Sequence, residues 1–304
     1  MPTMSFGQYS FEVSDTDKVL FPEAELTKGD LIDYYCDVAE VMLPHCKGRP
    51  LTLQRFPDGI GKEGFFQQQT SDYFPDWISS IKTPRANDRR SKVEHVLANN
   101  KATLAYLANQ AAVTLHGWLS REKNIEQPDR LIFDLDPPDD DFSKVVEAAR
   151  HVRDLMEALG MTPHVMTTGS RGLHVVAPLK ATRSFDDVRD YARSMAQQLA
   201  ECFDDELTVE QRKDKREGRL YLDVMRNAYG QTAVLPYTVR ARPTAPVATP
   251  LNWEELDNKN LGPQSYTIKN LLRRLGQQKD PWHGIDRYGV ELSELPDVAS
   301  LEVC

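Results

Sequence analysis

Residues 131–138, with the sequence LIFDLDPP, combine an apolar β-strand with two aspartates and a double proline. Because successive side chains of a strand point to opposite faces, Asp134 and Asp136 share one face, and Phe133 and Leu135 point to the other. The prolines end the strand directly after the second aspartate, since proline has no N–H group for the ladder of a sheet. The stretch predicts a buried strand that presents two carboxylates at its end.

These two carboxylates are candidate metal ligands. Like charges on one face repel each other unless a cation lies between them, and Mg²⁺ or Mn²⁺ binds such oxygen ligands together with phosphate oxygens. A D-x-D pair alone is weak evidence for a metal, and an acidic strand end that faces solvent is the alternative.

A second acidic strand is predicted at residues 220–225, LYLDVM. Its two leucines and its valine alternate onto one face, and Asp223 lies on the other. Three carboxylates on two strands can hold two cations about 3.5–4 Å apart, the arrangement used for in-line phosphoryl transfer. The alternative is a structural aspartate that pairs with Arg226 or another base.

A glycine-containing loop, residues 167–174 with the sequence TTGSRGLH, lies between two predicted strands. Glycine allows backbone conformations with positive φ, which aim several N–H groups at one anion. The loop also supplies side-chain donors suited to a triphosphate, namely those of Thr168, Ser170, Arg171 and His174. A plain hairpin turn is the alternative for the loop taken alone, but its position between two acidic strands favours a phosphate site.

Basic and aromatic side chains suited to nucleic acid occur elsewhere in the chain. Residues 212–219, RKDKREGR, carry five basic and two acidic side chains just before the Asp223 strand. Lys18 and Lys28 flank a turn near the N-terminus, and the adjacent Phe65 and Phe66 could stack on bases. The alternatives are a solvated charged loop for the basic run and a core position for the aromatic pair.

Residues 59–64, GIGKEG, match the pattern G-x-G-x-x-G, but the helix that should follow such a loop is not predicted here. A dinucleotide-binding loop requires a strand before the glycines and a helix after them. The residues that follow, FFQQQ, are typical of a strand or loop, so a hairpin turn is predicted.

The remaining pattern predicts a mixed α+β fold. Helices are indicated by caps and apolar spacing from Thr27, at 143–159, at 184–203 and around 270–275; strands are indicated at 131–135, 164–168 and 173–177. No regular βαβ repeat is present, so we expect mixed β-sheets flanked by helices. The proline-rich residues 242–250 predict an extended strap that holds no regular ladder.

Composition excludes several classes of protein. With 40% apolar and 27% charged residues the 304-residue chain is not disordered, and its net charge of −9 argues against a histone-like protein. The uncharged residues 102–120 contain polar groups that favour a buried core segment over a membrane span. The N-terminus shows no export signal, and four scattered cysteines without a CxxC pair predict neither a zinc knuckle nor a disulfide framework. A reduced, cytoplasmic protein is expected.

In combination, these motifs resemble the polymerase domain of bacterial and archaeal DNA ligase D, a member of the archaeo-eukaryotic primase superfamily. The resemblance rests on FDLDP at 133–137, TGSRGLHVVAPL at 168–179 and LD at 222–223, together with DKVLFP at 17–22, TKGD at 27–30, GRPLT at 48–52, RFPDG at 55–59 and PYTVRAR at 236–242. It extends through nearly the whole chain. Any one of these motifs is weak, but the combination is specific.

The resemblance implies a primase-like catalytic core within one domain, residues 1–304. Its N-terminal part, about 1–110, would bind DNA ends, and a catalytic part, about 111–250, would precede the strap and C-terminal helices. The implied activity is a nucleotidyl transfer that extends a primer 3′-OH with NTPs or dNTPs, preferably ribonucleotides, at gaps and breaks with a 5′-phosphate during non-homologous end joining. Two Mn²⁺ or Mg²⁺ ions would assist, Ku and a DNA ligase would be partners, and the protein would associate with the nucleoid.

The resemblance also implies roles for individual residues. The catalytic, metal-binding residues would be Asp134, Asp136 and Asp223. The incoming nucleotide would contact His116, Thr168, Ser170, Arg171, Gly172, His174 and Arg240, with His116 against the sugar or phosphates. The downstream 5′-phosphate would be held by Lys18 and Lys28, and the DNA would contact Phe65, Phe66 and the loop residue Arg216.

Three positions depart from the family pattern. Gln68 stands where a lysine is common, Asp15 where an asparagine often assists the phosphate-binding lysines, and Arg171 where a lysine is common. No ligase, nuclease or Ku-binding signature is present, and a free-standing protein is expected in preference to an excised domain. Two rival functions remain open: a D-x-D glycosyltransferase that uses a nucleotide sugar, and a non-catalytic module that bridges DNA ends.

Overall fold

The computed structural model describes residues 2–301, which form two compact units. The first unit contains residues 2–123, 232–249 and 266–280, and the second contains residues 124–231, 250–265 and 281–301. Each unit is thus assembled from three segments of the chain. The division of the chain into an end-binding part and a catalytic part stays a prediction.

The elements are numbered in chain order. The helices are α1 (Lys28–Asp37), α2 (Ala39–Cys46), α3 (Lys101–Asn109), α4 (Phe142–Ala158), α5 (Phe185–Cys202) and α6 (Ile268–Gln277). The strands are β1 (Thr3–Phe6), β2 (Tyr9–Glu12), β3 (Val19–Phe21), β4 (Leu26–Thr27), β5 (Leu51–Arg55), β6 (Phe65–Gln67), β7 (Ser80–Pro84), β8 (Lys92–Val96), β9 (Ala112–Trp118), β10 (Arg130–Leu135), β11 (His164–Thr167), β12 (Leu173–Pro178), β13 (Leu207–Thr208), β14 (Leu220–Asp223), β15 (Thr232–Val234) and β16 (Thr249–Leu251).

The main sheet of the second unit has the strand order β13-β14-β10-β12-β11-β16. Strands β14, β10, β12 and β11 pair antiparallel, whereas β13 and β14 are parallel. Phe133 and Leu135 of the central strand are fully buried, and helices α4 and α5 both contact that strand. The predicted α+β fold with mixed sheets and flanking helices is therefore confirmed.

The first unit contains a four-stranded sheet of order β15-β9-β5-β6. Helix α3 and strand β9 lie in the uncharged stretch 102–120 and are almost wholly buried, so this stretch is a core segment as predicted. Helix α1 packs against α3, and the hydroxyl of Tyr35 donates to the carbonyl of Val113 over 2.7 Å. This bond gives a buried polar group a partner inside the core.

Two helix starts follow the predicted capping boxes. Thr27 caps α1 with Asp30, and Ser184 caps α5 with Asp187. Helix α4 begins one residue earlier than predicted because the side chain of Asp141 accepts a hydrogen bond from the N–H group of Ser143. An aspartate at this position satisfies N–H groups that the first turn leaves without partners.

Two other predictions for irregular segments have different outcomes. Residues 59–64 form the turn between the antiparallel strands β5 and β6, as predicted for this glycine pattern. We predicted that the strap at 242–250 forms no regular strand pairing. That prediction is wrong at the end of the strap, where β16 joins the sheet beside β11. Strand β16 includes Pro250 and lies at the sheet edge, where a missing N–H group is tolerated.

The prediction of a fully reduced protein is wrong at Cys202, which is disulfide-bonded. Cys36 and Cys46 are free thiols. Cys304 lies outside the described residues. The spacing of cysteines along a chain does not show which of them meet in the fold, so the sequence offered no signal for this bond.

Candidate active site and DNA-end contacts

Strand β10 places Asp134 between two partner side chains on the neighbouring strands. Asp134 is the register partner of His174 on β12 and of Asp223 on β14. Residues directly opposite in an antiparallel pair have Cβ atoms about 4.5–5.5 Å apart. The structure thus brings together two of the three predicted carboxylates and one predicted nucleotide contact in a single row across the sheet.

Asp134 is held by two basic side chains, those of His174 and Arg226. Its Oδ1 lies 3.2 Å from Nε2 of His174, and its Oδ2 accepts a hydrogen bond from Nε of Arg226 over 3.1 Å. Burial by itself disfavours the charged carboxylate, but the charges and hydrogen bonds of His174 and Arg226 outweigh it and hold the pKa of Asp134 well below its usual range. Asp134 is therefore an ionised carboxylate of fixed orientation.

The pKa of Asp223 is shifted in the opposite direction from that of Asp134. Its Oδ1 accepts a hydrogen bond from the N–H group of Met225 over 2.8 Å. Burial, and secondarily the negative charge of Asp134, raise the pKa of Asp223 above its ordinary value. A cation near both carboxylates would relieve this repulsion, so the donor set fits a divalent metal with hard oxygen ligands.

Asp136 and Arg171 lie at the mouth of the same cavity. Their closest atoms, Oδ2 and Nη2, are 3.6 Å apart, and both side chains are about half exposed. The cavity has a volume of about 320 Å³ and is lined by Asp134, Asp136, Pro137, Pro138, Arg171, Lys213, Arg216, Gly218, Tyr221, Asp223 and Arg226. All three predicted carboxylates and two predicted arginines therefore line one cavity.

The glycine loop approaches the end of β10 very closely. Gly169 has a φ of 64°, as predicted for a loop glycine, whereas Gly172 is required for another reason. A Cβ atom on Gly172 would lie 1.9 Å from the carbonyl oxygen of Leu135 and 2.8 Å from Oδ1 of Asp136. Glycine at position 172 thus lets the loop lie directly beside the second aspartate.

Two predicted loop contacts have structural partners within the protein. The hydroxyl of Thr168 donates to the carbonyl of Gly172 over 3.1 Å and also accepts from the N–H groups of Ser170 and Gly172, each at 3.3 Å. The carbonyl of Ser170 accepts from the side-chain amide of Gln264 over 2.8 Å. Thr168 therefore shapes the loop from inside, and Gln264 supports it from outside.

The basic run 212–219 forms one wall of the cavity. The guanidinium of Arg216 donates to the carbonyls of Glu210 and Gln211 and lies over the ring of Tyr221, with 4.3 Å from Cζ to the ring centroid. Lys213 lines the cavity as well. Arg216 is therefore part of an ordered loop beside Asp223.

In the first unit, Lys18 and Lys28 are adjacent, because the N–H group of Lys28 donates to the carbonyl of Lys18 over 2.8 Å. Nζ of Lys18 pairs with Oδ1 of Asp58 at 2.7 Å, and Nζ of Lys28 donates to Oγ of Ser14 at 3.2 Å. Burial lowers the pKa of Lys28, and Asp15 partly opposes that shift. The structure thus brings the two predicted phosphate-binding lysines together and adds Asp58 beside one of them.

The predicted aromatic pair is solvent-exposed. Phe65 and Phe66 are 47% and 63% exposed, which agrees with a stacking surface and contradicts the alternative of a core position. The guanidinium of Arg55 lies over Phe65 at 5.4 Å, and the ring of Phe66 contacts that of His116 edge-on at 5.8 Å. His116 is therefore beside the aromatic pair in the first unit.

Arg240 also belongs to the first unit. Its N–H group donates to the carbonyl of Pro246 over 2.7 Å, which holds the strap against the preceding segment. The nucleotide contacts predicted for His116 and Arg240 stay predictions.

Several residues of the site were missed by the sequence analysis. Arg226 was considered only as a partner of Asp223, yet it binds Asp134, which lies 92 positions earlier. Lys213 and Tyr221 lie inside two stretches that were singled out, the basic run 212–219 and the acidic strand 220–225, but neither was named as a site residue. Nothing in the sequence near Gln264 indicates its contact with Ser170.

A mixed sheet whose strands and loops present three aspartates and several basic side chains to one cavity defines a nucleotidyltransferase-type site. The family model described as "LigD, primase-polymerase domain" matches residues 27–282. The chain belongs to this family: it is a primase-polymerase domain, a nucleotidyltransferase of the archaeo-eukaryotic primase superfamily. Polymerases of this family are metal-dependent.

Individual relatives agree with this assignment. The chain is 34% identical over 291 residues to the multifunctional non-homologous end joining protein LigD of Mycobacterium bovis, covering 93% of this chain and 38% of that protein. It is 31% identical over 273 residues to the bifunctional LigD of Bacillus subtilis, covering 89% of this chain and 43% of that protein. The chain thus spans less than half the length of these curated relatives.

A solved structure of similar fold is the polymerase domain from Mycobacterium tuberculosis ligase D in complex with DNA. It is 32% identical to this chain, superposes with a TM-score of 0.85, and the match covers 94% of this chain and 99% of that one.

Among residues 2–301, no helix is long and apolar enough to span a membrane.

Proposed function

We propose that this chain extends a primer 3′-OH with nucleoside triphosphates at DNA gaps and breaks that carry a downstream 5′-phosphate, within non-homologous end joining. The observation that carries the proposal is the convergence of Asp134, Asp136 and Asp223 on one cavity whose other walls are basic. The relatives named for end joining, and the related domain solved with DNA, support the same conclusion.

Asp134, Asp136 and Asp223 would hold the metal ions, Mn²⁺ or Mg²⁺. Such ions, when bound, lower the pKa of an attacking hydroxyl and neutralise a leaving pyrophosphate. The contribution of the protein is to hold the carboxylates in place. His174 and Arg226 each bind one oxygen of Asp134, and the N–H group of Met225 binds Asp223, so two of the three ligands are oriented in advance.

The triphosphate would bind beside the glycine loop. Arg171 can hold phosphate oxygens in two-point contacts, and Lys213 and Arg216, which line the same cavity, add positive charge. The tight approach of Gly172 to β10 sets the distance between the loop and the metal ligands. His116, Thr168, Ser170, His174 and Arg240 complete the proposed nucleotide site, with Thr168 acting through the loop that it shapes.

A 5′-phosphate grip by Lys18 and Lys28 would direct the enzyme to gaps and breaks without reading sequence. The backbone donors at the start of α1 have partners already: the N–H groups of Lys28 and Gly29 donate to the carbonyls of Lys18 and Thr16. The anion would therefore be held by the two ammonium groups, and binding would release Lys18 from Asp58. Affinity for the DNA end would therefore depend on the positive charges of Lys18 and Lys28.

Phe65 and Phe66 would stack on the exposed terminal bases. Both side chains are exposed, and Arg55, which is held by Gln67 and Tyr73, lies over one face of the Phe65 ring and fixes its position. Stacking on aromatic rings accepts any base, as an end-binding enzyme requires. A ribonucleotide preference, partnership with Ku and a DNA ligase, and a cytoplasmic, nucleoid-associated location belong to the same proposal and rest on the family.

The test is nucleotide incorporation on a gapped duplex with a downstream 5′-phosphate, with NTPs or dNTPs and with Mn²⁺ or Mg²⁺. We expect extension by the unmodified protein and none by Asp134→Ala or Asp223→Ala, with DNA binding retained by all three. Asp154→Ala, which removes an exposed carboxylate on α4, is the matched control and should extend normally.

Two other outcomes would favour the rival functions. Tight binding of the DNA end without extension under any metal would indicate a non-catalytic bridging module. Turnover of a nucleotide sugar in the absence of DNA would indicate a glycosyltransferase.

A further inference from the structure

A second group of potential metal ligands lies outside the cavity, on helix α4 and on the turn that follows α5. Glu147 and His151 are four residues apart on α4 and therefore share one helix face. Glu206 joins them from the turn between α5 and β13. One ligand atom of each of the three side chains lies within 4.8 Å of the other two. Within residues 2–301 this is the tightest such arrangement of carboxylate and imidazole groups.

The imidazole of His151 is directed at the two carboxylates. Its Nε2 atom is shielded from solvent, and within the described part of the chain it has no hydrogen-bond partner. The nearest carboxylate oxygen, Oε2 of Glu206, is 3.8 Å away. The ring of Phe203 stacks on the imidazole with 3.7 Å between centroids, which fixes its orientation. A shielded polar atom without a hydrogen bond is costly, so a ligand at this nitrogen would be favourable, although the side chain as a whole is 21% exposed.

The negative charge of the two carboxylates, Glu147 and Glu206, would also be stabilised by a cation. Neither Glu147 nor Glu206 pairs with a lysine or arginine anywhere in residues 2–301, and both carboxylates are exposed. The basic neighbours on α4 are engaged elsewhere: Arg150 pairs with Asp257, and Lys144 pairs with Asp139. Two carboxylates thus face one imidazole with no fixed positive charge between them.

From this arrangement we propose that Glu147, His151 and Glu206 bind a divalent transition-metal ion of the Zn²⁺ class. One imidazole nitrogen and two carboxylates are ligands that zinc accepts, at bond lengths of about 2.0–2.2 Å, with water completing a tetrahedron. Tetrahedral ligands at those lengths are about 3.4 Å apart, so the group closes by about 1 Å on binding. The two exposed glutamates supply that movement by rotation of their side chains.

The ion would join α4 to the strand pair that carries Asp223. The carbonyl of Glu206 accepts a hydrogen bond from the N–H group of Leu220 over 2.8 Å, and Glu206 directly precedes β13, which is parallel to β14. A metal at this position would therefore stabilise the edge of the main sheet. It is a stabilising site, and it stands whether or not the chain proves to be a polymerase.

The test measures zinc binding in the full chain carrying Asp134→Asn and Asp223→Asn, which remove competing ligands in the cavity. After chelation and dialysis, equilibrium dialysis should give one tightly bound Zn²⁺ per chain, and added Zn²⁺ should raise the melting temperature. The further change His151→Gln should abolish both effects. The controls are Glu157→Gln, on the same helix outside the group, and His283→Gln, and both should retain them.

The comparison uses the increase in melting temperature caused by zinc, so a lower starting stability of the His151→Gln variant does not affect it. Co²⁺ gives a second readout, since a four-coordinate site shows strong visible absorption that the same substitution should remove. Zinc stoichiometry unchanged by His151→Gln, or no binding by the parent protein, would overturn the proposal.

Discussion

Substitution of Gly172 by alanine should move the glycine loop away from β10, the strand that carries the proposed metal ligand Asp134. The added Cβ atom would lie 1.9 Å from the carbonyl oxygen of Leu135, whereas real Cβ atoms essentially never approach within 3.0 Å. The loop or the strand end must therefore move by at least 3.0 − 1.9 = 1.1 Å. The obstacle is backbone, so rotation of a side chain cannot relieve it.

The expected cost follows from this displacement. A shift of about 1 Å in a reacting group typically costs about 10²-fold in rate, which corresponds to about 2.7 kcal/mol of transition-state stabilisation. Because Asp136 lies at the same contact, we expect kcat/KM for incorporation on the gapped duplex to fall by about that factor. Binding of the 5′-phosphorylated end through Lys18 and Lys28 should be unchanged, since these residues belong to the first unit.

The matched control is Gly276→Ala in α6, where an added Cβ atom meets nothing within 4 Å. That variant should incorporate nucleotides normally. If Gly172→Ala remains folded by circular dichroism and keeps the kcat/KM of the unmodified protein, the close approach of loop and strand is not required for catalysis, and the reasoning is refuted.

The remaining predictions concern the DNA-end site and the stability of the helices. Lys28→Met should remove the preference for 5′-phosphate over 5′-hydroxyl in a gap-binding assay; because burial lowers the pKa of Lys28, the unmodified protein should lose that preference on the alkaline side before an ordinary lysine would deprotonate. Asp58→Asn should strengthen 5′-phosphate binding, since it frees Lys18 from its ion pair, and weaker binding would contradict the proposed exchange. Ser184→Ala should cost about 1 kcal/mol in denaturant unfolding through loss of the α5 cap, and no change would indicate that the capping box is dispensable. Gly276→Ala should raise the free energy of unfolding by no more than about 0.5 kcal/mol, since Gly276 is the next-to-last residue of α6 and the full gain of about 0.5–1 kcal/mol applies to a helix interior.

Features that depend on local geometry could be predicted from the sequence. The alternation around Asp134 correctly placed Phe133 and Leu135 on a buried face of β10, because strand periodicity is a property of neighbouring residues; Ile132, on the same face as Asp134, is buried as well. The start of α1 after Thr27 was likewise predicted from local spacing. The two carboxylates differ, since Asp134 is largely buried and Asp136 is about half exposed.

Features that depend on contacts between distant segments could not be predicted in this way. The pairing of Arg226 with Asp134 depends on the register of β14 against β10, which neither segment specifies alone. The need for glycine at position 172 comes from the carbonyl of Leu135, and so a turn preference was the wrong explanation for it. Strand β16 was missed because its proline argued against a ladder, although an edge position tolerates it.

The two side chains that bind Asp134 bear on how far the fold would depend on the proposed metal ions. In a zinc finger the ion holds the chain together, and its removal unfolds the domain. Here His174 and Arg226 already bind the most buried carboxylate of the row, so β10 is held in register by protein contacts. In the proposed site, an ion bound by Asp134 would share or displace these partners. The sheet would therefore stay intact whether or not the cavity holds an ion.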